Sequence, residues 1–76
     1  MLWIFSESCE DWPTDNIFAC TTNKDKAQQI WDGLAKKEGK HGMIYEYTVI
    51  DLETEQVLTT IGRYTVIKER HDYYLN

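Results

Sequence analysis

The chain has 76 residues, and its 13 acidic against 8 basic side chains give a net charge of −5. So short a chain makes one domain, 1–76, with a thin core, since it buries only roughly 60% of its unfolded surface; at 42% hydrophobic and 28% charged it is nonetheless a folding composition rather than a disordered one. The negative balance repels a phosphate backbone, which excludes direct nucleic-acid binding as a general activity and favours a protein partner with a neutral or basic surface.

Leu2-Trp3-Ile4-Phe5 is a short apolar run of strand type. With no basic leader before it, it does not read as a signal peptide. Residues 6–16, SESCEDWPTDN, follow as an acidic loop holding the only proline, with Pro13 and Asn16 as turn formers. Ile17 to Cys20 is the second short strand. If the two strands pair as a hairpin, facing residue numbers sum to about 23. Cys20 then lies near Trp3 and Cys9 near Thr14, too far apart for a disulfide. Two free thiols in a reducing, cytoplasmic setting are expected.

A helix is predicted over about 23–38. Thr22 can cap it, with Asp25 near its positive end. Ala27, Ile30, Trp31 and Leu34 recur on one helical face, and Gly39 can end it. From Met43 to Leu52 the pattern alternates, with Met43, Tyr45, Tyr47 and Val49 on one side and Ile44, Glu46, Thr48 and Ile50 on the other. Leu52 to Gln56 is polar enough to turn. Val57–Ile61 and Arg63–Lys68 read as one strand bent at Gly62, or as two. The tail, 71–76, carries Tyr73, Tyr74 and Leu75. No segment approaches the length of a membrane helix.

The fold class that follows is α+β. A small antiparallel sheet of four or five strands carries one helix on one face, in the order ββαββ. One helix covers one face, yet both N-terminal strands are apolar on both sides. The tail, a second copy of the chain in a homodimer, or a partner protein could cover the other face.

The residue patterns that carry chemistry are weak. Cys9, Cys20, His41 and His71 are too widely spaced for a recognisable zinc site, and no metal is expected. Cys9 sits among Glu7, Glu10 and Asp11, whose charge disfavours a thiolate. Glu10–Asp11 and Glu53/Glu55 are loop carboxylates of the solvated kind. No glycine-rich phosphate loop exists, and no cofactor is called for. Catalysis is therefore not expected.

Recognition remains. Trp12 either folds back onto the sheet edge and anchors its loop, or anchors a partner within a rim of Glu10, Asp11 and Asp15. These four residues form the expected contact patch, with Tyr73 and Tyr74 as a second. The reading is a non-enzymatic protein-binding module, and the alternative from charge is an acidic mimic that blocks a nucleic-acid-binding protein. A small enzyme ranks behind both. The N-terminal strand, the acidic loop, IFACTTNKDKAQQIW and YEYTVIDLETEQVL together resemble a loose group of short bacteriophage and bacterial proteins. The resemblance covers most of 1–60 and implies a small α+β protein, phage-encoded, that binds and inhibits a host protein, defence systems included. It assigns no functional residue.

Overall fold

The computed structural model describes residues 1–9, 12–36, 42–65 and 72–74. The elements run β1 (Leu2–Cys9), β2 (Trp12–Thr21), α1 (Lys24–Lys36), β3 (Met43–Asp51), β4 (Gln56–Thr65) and β5 (Asp72–Tyr74). They build one antiparallel sheet in the order β2-β1-β3-β4-β5, with one helix among the described residues. The α+β class stands, and the sheet has its fifth strand.

Strands β2 and β3 both run antiparallel to β1, which lies between them. The connection β2–α1–β3 must therefore cross over β1. The helix consequently sits on the strand it crosses, and Phe5 of β1 is the most completely buried apolar side chain, 1% exposed. Ala27, Trp31 and Leu34 of the helix and Tyr45 of β3 complete the buried cluster, with Trp3, Ala19, Ile30, Met43, Tyr47 and Ile61 packed against it. The helical stripe and the odd-numbered face of β3 thus meet as their spacing requires. Rings pack tilted or edge-on, Trp31 against Tyr47 at 4.7 Å and Phe5 against Tyr47 at 5.7 Å. Such pairs add to the area they bury.

The helix starts one residue later than Thr22 capping would place it. Asn23 is the cap: its side-chain oxygen accepts from the Lys26 N–H at 3.1 Å, and its carbonyl accepts from the Ala27 N–H at 3.0 Å. The Thr21 hydroxyl in turn accepts from the Asn23 N–H. An asparagine oxygen reaches the third helical N–H from the position directly before the helix, which Thr22 does not occupy.

Two further expectations change. Residues 6–16 are not a long loop, because β1 extends to Cys9 and β2 begins at Trp12. Polar residues 6–9 and 12–16 are strand because an edge hairpin pairs its backbone whether or not its side chains are apolar. The expected register holds in the middle, Ser6 to Ile17 and Glu7 to Asn16. Irregularities displace it elsewhere, so Cys20 faces Ile4 and Cys9 faces Trp12. Both cysteines are free. Gly62 does not break β4, which runs unbroken from Gln56 to Thr65 with Gly62 opposite Glu46. The bulge lies earlier, at Leu58, between the Val49–Thr59 and Ile50–Val57 pairs.

A candidate partner surface at the hairpin end

The row across the sheet that begins at Trp12 continues through Cys9, Met43 and Thr65 to Asp72. The Trp12 end of the hairpin and the strand carrying Tyr73 and Tyr74 therefore share one end of the sheet. They lie on its opposite edges, four strand spacings or about 19 Å apart. Trp12 and Asp15 are brought together on β2, with Asp15 exposed. Glu10 and Asp11 lie outside the described residues. The expected second patch, Tyr73 and Tyr74, is strand β5 and belongs to a different edge.

The residue that sequence reasoning missed is Phe18. It stands opposite the irregularity between Phe5 and Ser6 of β1, where an extra residue can turn its side chain to the same side as its neighbour. Its ring packs against Phe5 at 6.4 Å and edge-on against Tyr45 at 6.3 Å, yet it remains 41% exposed. In the sequence it read as one more apolar strand residue. Only the bulge brings it beside the core at an open edge.

Glu7 lies next to it on the same face, paired across β2 with Asn16, whose amide donates to the Glu7 carboxylate at 3.4 Å, and across β3 with Tyr45. Burial first, and the Glu7 carboxylate second, raise the Tyr45 phenol above its ordinary 10.0. Phe18 and Asn16 of the outer strand and Glu7 of β1 thus form an aromatic-edged patch with one carboxylate on the helix-bearing face, while Asp15, the next residue along β2, alternates to the opposite face at the same edge.

A separate cleft of about 100 Å³ opens between the start of the helix and the sheet, lined by Trp3, Phe5, Lys24, Ala27, Gln28, Trp31 and Tyr47. Its lining contains no carboxylate, thiol or imidazole; its ionisable groups are the Lys24 amine and the Tyr47 phenol. Among the described residues no three His, Cys, Asp or Glu side chains gather as a metal site would require, and no helix is long and apolar enough to cross a membrane.

Fold and surface together define a small α+β sheet-and-helix protein with an acidic hairpin edge. No family model matches the chain, nor does any curated protein or solved structure. Its likeness to short phage and bacterial proteins is accordingly one of pattern.

Proposed function

We propose that the protein is a non-enzymatic binding module that engages a larger protein through the outer edge of the β1–β2 hairpin. The observation that carries this reading is Phe18. An aromatic ring 41% exposed, held by Phe5 and Tyr45 with Glu7 on the same face and the exposed Asp15 on the other side of the same strand edge, is a rigid anchor with carboxylates around it. A ring already held in place costs little to order on binding, and the carboxylates favour a neutral or basic partner surface. By sequence, Glu10 and Asp11 add acid to this end and Trp12 a second aromatic. Tyr73 and Tyr74 on the far edge serve a partner wide enough to span the sheet end. A host protein is the partner that the phage-like pattern implies, and occupying its surface is the means of inhibition.

The test is affinity capture from host lysate with wild type, Phe18→Ala and Trp12→Ala, with captured proteins identified by mass spectrometry. Wild type retains a partner and Phe18→Ala loses most of it. No retained partner refutes the module, and equal retention by Phe18→Ala refutes the patch. The charge-mimic alternative predicts that the retained protein binds nucleic acid and that salt releases it steeply.

A further inference from the structure

Among the described residues nothing lies over the sheet's second face. Beta-strand alternation turns Ile4 of β1 and Ile44 and Ile50 of β3 away from the helix; Val57, the register partner of Ile50, is 62% exposed at one rim, and Ile17, the partner of Ser6, is 65% exposed at the other. Of the three covers that the sequence allowed, the tail is otherwise engaged as far as it is described. Residues Asp72–Tyr74 extend the sheet sideways as β5, paired to β4, and do not lie across it.

Charge identifies which cover fits. The molecule carries −5, but among the described residues of the paired rows on this face Glu46 is the one charged side chain, with Asp15 at the rim beyond Ile17. A basic partner has almost nothing to attract it here. Two copies that repel each other elsewhere can meet on this face with little repulsion. Size agrees. Four long strands span about 19 Å across and about 28 Å along, so two such faces together remove about 1,000 Å² from water, where specific interfaces begin. Aliphatic and threonine-bearing, the face suits the stacking of one sheet on another.

We infer that the open face is the interface of a homodimer, with the helices of the two copies outward and the Phe18 edge of each left free. Glu46 lies within that interface and keeps the association weak, because a carboxylate leaving water costs free energy. This goes beyond the proposed partner binding and uses a different surface.

Sedimentation of the full chain over a wide concentration range tests it. The wild type is expected to pass from monomer to dimer. Thr48→Lys at the centre of the face, and Thr60→Lys at its exposed cross-strand neighbour, are expected to stay monomeric with unchanged circular dichroism. Glu46→Gln should lower the dimer dissociation constant about tenfold. A wild type that is monomeric throughout overturns the proposal, and nuclear Overhauser contacts from Tyr73 or Tyr74 to Ile4 would then assign the face to the tail. A dimer that survives both folded lysine variants also overturns it, and its loss in Phe18→Ala would move the interface to the outer edge of β2. Capture of a protein partner through the Phe18 patch is expected to persist in Thr60→Lys, so failure of one surface is separable from failure of the other.

Discussion

Arg63 brings a charge into the interior, at 2% exposure, and the helix is arranged around it. Its guanidinium lies 4.4 Å from the Trp31 ring centre and donates to the Trp31 carbonyl at 3.1 Å. One side chain thereby ties β4 to the middle of the helix, across the strands between. Arg63→Ala should cost about 2–4 kcal/mol in urea unfolding, from the lost cation–π contact and the space left behind. Arg63→Met keeps most of the volume and removes the buried charge, so it should cost clearly less; equal losses would show that the charge and not the packing matters. Tyr45, 3% exposed, gives a pH signature. Its phenol is raised above 10.0 in the folded state, so the unfolded chain gives up this proton first. Its contribution is intact below about pH 10 and falls as the pH rises further. Tyr45→Phe should flatten that alkaline loss in denaturant titrations between neutral and strongly alkaline pH. Neither role could be read from the sequence. Arg63 looked like an ordinary strand residue, and its burial depends on a helix 32 positions away.

At the scale of elements, the helix was legible and its cap was misplaced by one residue. Periodicity locates a face well because every turn repeats the information. A cap rests on a single side-chain geometry, and Thr21, Thr22 and Asn23 all had the chemistry for it. Asn23→Ala should lower stability by about 1 kcal/mol, while Thr22→Ala should have far less effect; both are measurable by thermal or urea unfolding. The β3–β4 turn offers the opposite change. Glu55 there adopts a positive φ of 59°, a conformation that strains an L side chain. The Asp51 carboxylate meanwhile accepts from the Glu53 N–H at 2.9 Å, holding the turn's entry. Glu55→Gly should raise stability by about 0.5–1 kcal/mol in the same measurement. The N-terminal hairpin was the least legible element. Its polar halves, Ser6–Cys9 and Trp12–Asn16, carry little strand signal, and their pairing comes from sitting beside apolar strand that is already paired.

In the whole molecule, one crossover accounts for most of the arrangement. Because β2 and β3 flank β1, the helix joining them buries Phe5 on one face, and among the described residues nothing covers the other. The same order puts β2 on an edge, which is why Phe18 and Asp15 are accessible, and places Tyr73 and Tyr74 on the edge opposite. By itself the sequence determined the acidic charge and the α+β class, which residues line the helix stripe and the core face of β3, and that both sides of the N-terminal strands are apolar. Those properties are local, written in composition and in periods of two and 3.6 residues. Only the tertiary structure decided the strand order, the tight hairpin, the bulge that brings Phe18 beside the core on the face of Glu7, and the separation of the two expected patches. Each of these depends on which strands become neighbours, and strand pairing joins residues whose separation along the chain leaves no local pattern to read.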